Sequence, residues 1–174
     1  SKLTEVRDVN KTIKQIESQN NITYTGQQKK AIKNTFVNPI SIITGGPGTG
    51  KTTIVKAVIA IAEKNGFKVA LAAPTGKAAK RMEEATGRPA KTIHRLLEFE
   101  LKRKDTYGET TLYFNRNKNN PLEEDLIIID EASMIDTTLM YHLITAVETC
   151  IVFIGDTAQL PSIGPGTILA DLIK

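Results

Sequence analysis

The densest group of residues that could do chemistry lies at positions 45 to 53, which read GGPGTGKTT. The string satisfies the spacing G-x-x-x-x-G-K-[ST], with its first glycine at Gly45 and its Lys-Thr pair at Lys51 and Thr52. Glycines let a loop curl so that backbone N–H groups point at phosphate oxygens, and a following helix adds the positive end of its dipole. The pattern therefore predicts a site for nucleotide phosphates, with a triphosphate as the natural ligand.

The side chains of this loop are expected to have separate tasks. Lys51 reaches the β- and γ-phosphates as a mobile cation, and the Thr52 hydroxyl completes the coordination of a Mg²⁺ ion that arrives with ATP. Thr53 supports the loop. The alternative is a chance glycine-rich turn before an amphipathic helix, and the complete pattern argues against it. The predicted phosphate-binding set is Gly46, Pro47, Gly48, Thr49, Gly50, Lys51, Thr52 and Thr53.

Two adjacent carboxylates, Asp130 and Glu131, end the apolar run in LIIIDEAS. Carboxylates at the carboxyl end of a parallel strand lie on the ligand side of the sheet. Asp130 is predicted to hold Mg²⁺ together with Thr52. Glu131 is predicted to act as a base that polarises water for attack on the γ-phosphate, which favours hydrolysis over transfer to a hydroxyl. A solvated helix cap is the alternative interpretation of the pair.

Short apolar runs without alternation predict strands buried on both faces of a parallel sheet. The strands are expected at residues 40–44, 69–73, 126–129 and 151–154, and the intervening helices at 51–64, 77–85, 92–97 and 137–147. Apolar spacing predicts earlier helices at 6–18 and 27–36. The fold class is therefore α/β and doubly wound. Residues 98–117 break the alternation and predict a β-hairpin around Tyr107 and Gly108.

Composition limits the function classes. The 174 residues suffice for one domain, and no apolar stretch is long enough to span a membrane. Cys150 is the single cysteine, and we expect a buried structural thiol in a reducing, cytoplasmic setting. No spacing predicts a transition-metal site built by the protein. The net charge of +4, with a basic excess at 76–118, favours a polyanionic partner, although solvated helix faces give the same excess.

Further strings carry a resemblance to a known family. DEASM, together with GDTAQLPSIGPG after the fourth strand, resembles motifs II and III of superfamily 1 helicases, most closely the RecD-like branch. The strings at residues 73–82 (APTGKAAKRM), 91–97 (KTIHRLL) and 25–32 (TGQQKKAI) resemble motif Ia, the next DNA-side segment and the Q motif of that family. The resemblance implies a RecA-like P-loop domain of an ATP-dependent 5′ to 3′ helicase that acts on single-stranded DNA in repair or recombination.

The resemblance also implies roles for individual residues. The strand before motif III should lie between the P-loop strand and the Asp-Glu strand, so that Gln159 faces the γ-phosphate as a catalytic sensor and Asp156 orients the loop. Gln28 reads the adenine edge, although a glutamine on a short helix is more often simply exposed. The DNA-binding set is Pro74, Thr75, Gly76, Lys77, Thr92 and His94. A structural role is the alternative for His94.

The resemblance implies a domain plan as well. Residues 1–24 form a helical lead-in and 25–174 the motor domain, with an insertion at about 98–120 that is either a strand-separating pin or an ordinary exposed hairpin. The chain opens at Ser1 and stops within a helical pattern, so we expect an excised piece whose parent supplies a second RecA-like domain with cleft arginines. Nuclease or repair subunits stay unspecified. The rivals are an AAA-type ATPase that remodels a protein and a nucleotide-gated DNA-binding module.

Overall fold

A five-stranded parallel sheet forms the centre of the structure, a computed structural model that describes residues 8–45, 50–103 and 107–156. The strands in these ranges are β1 (Ile40–Thr44), β2 (Val69–Ala73), β3 (Ala90–Thr92), β4 (Phe99–Arg103), β5 (Thr110–Phe114), β6 (Leu126–Ile129) and β7 (Cys150–Gly155). The sheet has the order β1-β7-β6-β2-β3, and every neighbouring pair is parallel. The central strands β6 and β7 are buried along their whole length, as their unbroken apolar sequences require.

Helices cover both faces of this sheet. The described residues form α1 (Val9–Asn20), α2 (Gly26–Val37), α3 (Lys51–Lys64), α4 (Gly76–Thr86), α5 (Ile93–Leu96) and α6 (Thr137–Thr145). Successive side chains of a strand point to opposite faces. In β6, Leu126 and Ile128 join the buried cluster that contains apolar residues of α1, α2 and α3, whereas Ile127 and Ile129 join the cluster that contains those of α5 and α6. The doubly wound α/β prediction is confirmed.

The predicted elements agree closely with the structure. The bounds of β1, β2, β6 and α3 coincide with the expected ranges, and β7 is longer by one residue at each end, from Cys150 to Gly155. Cys150 is fully buried, its thiol donates to the carbonyl of Asp125 at 3.3 Å, and burial followed by the Asp125 charge raises its pKa to about 12. The structural thiol is thus confirmed. None of the helices in the described ranges is long and apolar enough to cross a membrane.

Two features differ from the sequence prediction or refine it. The edge strand β3 was not expected, because three residues with an exposed lysine in the middle give no apolar run. The hairpin was expected, and β4 and β5 form it as a separate antiparallel pair with Phe99 opposite Phe114. These two rings pack near His94 and His142 at the base of the hairpin. The hairpin is therefore anchored to the main domain by aromatic contacts.

Candidate functional site

A cavity of about 670 Å³ opens at the carboxyl edge of the sheet, beside the ends of β6 and β7. Its walls come from the start of α3, the second half of α4, the end of β7 and the residues that follow the two strands. The polar side chains that line it are Lys51, Thr52, Arg81, Thr86, Asp130, Glu131, Ser133 and Asp156. A lysine, hydroxyls and carboxylates in one cavity fit a phosphate ligand that carries a hard cation such as Mg²⁺. The sequence predicted four of these residues for that chemistry, namely Lys51, Thr52, Asp130 and Glu131.

Lys51 lies at the first position of α3 and pairs through its ammonium group with Asp156, the residue after β7. Parallel pairing of β1 with β7 brings the two residues together although they are 105 positions apart. The first turn of a 14-residue helix also presents N–H groups and partial positive charge. An anionic phosphate therefore has two sources of positive charge here, and Asp156 is the counter-ion that it must displace from Lys51.

The remaining P-loop residues are only partly described. Thr52 lines the cavity, whereas Thr53 is half-buried on α3 and does not line it. Gly50 has φ of 79°, a left-handed conformation that favours glycine. The predicted phosphate-binding residues Gly46, Pro47, Gly48 and Thr49 lie outside the described residues. Their backbone contacts with a nucleotide stay a prediction.

Gln28 contacts the end of the P-loop. Thr25 caps α2, because its hydroxyl accepts the N–H of Gln28 at 3.1 Å and the Gln28 Oε1 accepts the N–H of Thr25 at 2.9 Å. This reciprocal pair fixes the glutamine side chain and leaves its Nε2 group beside Gly50, where an added Cβ would lie only 2.6 Å from it. Gln28 is half-buried rather than simply exposed. Its role at an adenine edge stays a prediction.

Asp130 and Glu131 follow β6, and a hydrogen bond from the backbone of Glu131 to the side chain of Asp130 connects them. The Glu131 N–H donates to Asp130 Oδ1 at 2.7 Å, and the Asp130 N–H donates to the carbonyl of Ala72 at 3.0 Å. Glu131 has φ of 51°, a left-handed conformation that costs free energy in a residue other than glycine. Its carboxylate lies 3.3 Å from the guanidinium of Arg81 on α4. Backbone strain of this kind is common where a side chain must be aimed for function.

The predicted DNA-side residues lie on an adjacent part of the same sheet edge. Ala73 at the end of β2 pairs with Thr92 at the end of β3, so the segments that follow the two strands begin side by side. Thr75 caps α4 by accepting the N–H of Ala78 at 3.2 Å, and Thr92 caps α5 by accepting the N–H of Arg95 at 3.2 Å. Each hydroxyl keeps its own proton to donate. Two capped helix starts on one edge give donors for backbone phosphates.

The other members of the DNA-side set differ in exposure. Pro74 is half-buried, while Gly76 and Lys77 are exposed at the start of α4. His94 is exposed, and its ring packs edge-on against Phe99 with centroids 5.2 Å apart. This contact gives the histidine a structural partner at the base of the hairpin. The sequence did not reveal this ring contact, because packing between α5 and the hairpin leaves no local pattern.

The structure describes only Gly155 and Asp156 of the string that resembles motif III. As expected, β7 lies between β1 and β6, and Asp156 follows it into the cavity. Gln159 lies outside the described residues, so its sensor role stays a prediction. The sequence missed the two ion pairs of the cavity, Lys51 with Asp156 and Arg81 with Glu131, because each joins residues far apart in the chain and has no local pattern.

Comparisons with known proteins agree with this geometry. A family model described as an AAA domain matches residues 28–165. The ATP-dependent RecD2 DNA helicase of Deinococcus radiodurans is 46% identical over 135 residues, which cover 76% of this chain and 18% of the relative. The RecBCD enzyme subunit RecD of Mycolicibacterium smegmatis is 39% identical over 173 residues, which cover 85% and 30%. The chain belongs to this AAA domain family, and its relatives identify it as a RecD-like domain of superfamily 1.

Solved structures similar to the RecD-like domain support the fold. A double mutant of the Pif1 helicase from Bacteroides matches with a TM-score of 0.54 and 26% identity, covering 87% of this chain and 37% of that one. The Pif1 helicase from Candida albicans matches with a TM-score of 0.53 and 25% identity, covering 80% and 34%. The RecD-like domain therefore has the RecA-like P-loop fold, and membership of this family implies nucleotide use. It spans 18% and 30% of the lengths of the two curated relatives named above.

Proposed function

We propose that this domain is the nucleotide-binding first motor domain of an ATP-dependent DNA helicase or translocase that moves 5′ to 3′ along single-stranded DNA in repair or recombination. The observation that carries the proposal is the single cavity that gathers Lys51, Thr52, Asp130 and Glu131. The two capped helix starts on the adjacent sheet edge supply a surface for a nucleic-acid backbone. Similarity to an ATP-dependent RecD2 DNA helicase and to Pif1 helicases supports the helicase part of the proposal.

The cavity residues can carry out ATP hydrolysis. Lys51 leaves Asp156 for the β- and γ-phosphates of ATP, and the Thr52 hydroxyl and Asp130 would hold Mg²⁺. The metal, when bound, supplies positive charge that neutralises the phosphate oxygens. Glu131 takes a proton from a water molecule whose oxygen bonds to the γ-phosphorus, while the bond to the bridging oxygen breaks and ADP keeps that oxygen. In this proposal Gln159 senses the γ-phosphate. The catalytic residues are therefore Lys51, Asp130, Glu131 and Gln159.

The adjacent sheet edge holds single-stranded DNA in this proposal. The contacts come from Pro74, Thr75, Gly76, Lys77, Thr92 and His94. Hydroxyl and backbone N–H groups at the starts of α4 and α5 donate to phosphate oxygens, and Lys77 adds charge. Contacts of this kind carry no sequence information, which suits a motor that must move along any sequence.

The proposal includes a domain plan. Residues 1–24 are the helical lead-in, 25–174 the motor domain and about 98–120 an inserted hairpin. A second RecA-like domain of the same parent chain brings arginines to the ATP cleft, since Arg81 is the one arginine among the described residues that line the cavity. We place the protein in the cytoplasm. Some relatives are subunits of the RecBCD enzyme, so the proposal includes partner subunits, such as nuclease or repair subunits, whose identity it leaves open.

A strand-separation assay with the full-length protein tests the proposal. We expect ATP-dependent unwinding of a duplex with a 5′ single-stranded tail, weak unwinding of a duplex with a 3′ tail, and loss of unwinding in Lys51→Ala. Efficient unwinding from a 3′ tail only would contradict the polarity. Stimulation of ATP hydrolysis by a protein but not by single-stranded DNA would favour the protein-remodelling ATPase instead.

A further inference from the structure

Arg81 connects the DNA-side helix with the proposed catalytic base. It lies on α4, whose N-terminus carries the Thr75 cap, and its Nη2 is 3.3 Å from Glu131 Oε1. Both side chains line the cavity that contains Lys51 and Asp130. The Arg81 side chain is 63% exposed, whereas that of Glu131 is 31% exposed. A ligand on the protein surface can therefore reach the arginine more easily than the glutamate.

Arg81 and Lys77 lie on the same face of α4, the helix that begins at the proposed DNA edge. The two residues are four positions apart on α4 and so lie on one face of the helix. At 1.5 Å per residue, Arg81 is roughly 8 Å along the axis from Gly76. If a backbone phosphate binds at the start of α4, the next phosphate of the strand can approach the long guanidinium side chain of Arg81 on the same helix face.

Asp130 restrains the backbone of Glu131, and Arg81 pairs with its carboxylate. Its N–H is bonded to Asp130 and its φ is 51°, so the backbone has little freedom to move. The orientation of the carboxylate is then set by the groups that bind it, and the described contact is with Arg81. The carboxylate oxygen that pairs with the guanidinium is directed towards α4.

We propose that Arg81 is a positioning residue that withholds the Glu131 carboxylate from the attacking water until a nucleic-acid phosphate takes over its guanidinium. The inference rests on the proposed function and adds the residue that couples the DNA edge to hydrolysis. An exposed ion pair is weak and easily exchanged, while a phosphate offers the guanidinium a bidentate partner. DNA binding then frees Glu131, and ATP turnover rises.

The test compares three variants of the full-length protein. Arg81→Ala removes the pair, and Arg81→Lys keeps the charge. Arg88→Ala is the matched control, because it removes an exposed Arg–Glu pair, with Glu63 at 2.8 Å, whose residues do not line the cavity. The measurements are kcat and KM for ATP with and without single-stranded oligo(dT), together with the affinity for that oligonucleotide.

The inference predicts a change in the ratio of kcat with single-stranded DNA to kcat without it. In Arg81→Ala, kcat without DNA should rise about fivefold or more, the lower end of typical coupling between sites, and DNA stimulation should shrink by the same factor. Arg81→Lys should lie between it and the wild type, and Arg88→Ala should keep the wild-type ratio. An unchanged ratio in Arg81→Ala, or equal falls in both rates, would overturn the inference alone. A wild-type protein whose hydrolysis does not respond to DNA would overturn the proposed function and the inference together.

Discussion

The contact between Gly50 and Gln28 allows a prediction with a matched control. Gly50→Ala puts a side chain on a residue with φ of 79°, and its Cβ would lie 2.6 Å from the Nε2 of Gln28. Gly66→Ala meets the same backbone conformation, φ of 77°, with no atom within 4 Å of the new Cβ. Both variants thus carry the free-energy cost of an alanine in the left-handed conformation, and only Gly50→Ala also meets Gln28.

The expected magnitudes follow from these two terms. An alanine in the left-handed region costs about 1–2 kcal/mol, and this applies to both variants. In Gly50→Ala the glutamine amide must also move, which breaks the bond from the Thr25 N–H to Gln28 Oε1. The loss of that half of the capping box adds about 1 kcal/mol. We therefore expect Gly50→Ala to lower the free energy of unfolding by about 2–3 kcal/mol and Gly66→Ala by about 1–2 kcal/mol.

Urea unfolding of the 174-residue chain measures the difference, and a fluorescent ATP analogue measures nucleotide affinity. Gly66→Ala should keep its affinity for the analogue, whereas Gly50→Ala should lose affinity because the strained residue directly precedes Lys51 and Thr52. In a Gln28→Ala background, the additional cost at Gly50 should disappear. Equal costs for the two glycine variants, or an additional cost that persists without Gln28, would refute the contact argument.

Two further predictions concern the DNA edge and the buried thiol. Thr75→Asp keeps an N-cap for α4 and so keeps the free energy of unfolding, whereas Thr75→Ala lowers it by about 1 kcal/mol. Because the aspartate charge repels a phosphate, we expect Thr75→Asp to bind a labelled oligonucleotide more weakly than Thr75→Ala. Equal binding would contradict a phosphate contact. The pKa of Cys150 is raised to about 12, so the folded state keeps its thiol neutral while the unfolded thiol ionises above its ordinary value of 9.0. The stability from this thiol is complete below pH 9 and is lost as pH rises towards 12; urea unfolding should show a larger fall in this range for the wild type than for Cys150→Ala, and parallel curves would contradict it.

The elements of the sheet were predictable because burial leaves a local pattern. LIII and CIVFIG are apolar without a break, and these are the central strands β6 and β7. The strand β3 left no such pattern, since Ala90–Thr92 is short, lies at the edge and carries an exposed lysine. Its strand character comes from pairing with β2, which is a tertiary property.

The residues of the candidate site likewise fall into those that the sequence predicted and those that only the fold brings together. Lys51, Thr52, Asp130 and Glu131 could be found because their spacing and their positions after strands are local signals, and the fold brings all four to one cavity. The partner of each charged group could not be found. Asp156 meets Lys51, and Arg81 meets Glu131, only through the parallel order of the strands and the packing of α4.

The most direct test of the central claim is the steady-state rate of ATP hydrolysis by the full-length protein, measured with and without single-stranded DNA in the wild type and in Lys51→Ala. The account predicts hydrolysis that DNA stimulates strongly in the wild type and that Lys51→Ala abolishes under both conditions, because the phosphates then lack their cation. Wild-type hydrolysis that ignores DNA, or stimulation that survives in Lys51→Ala, would contradict the account.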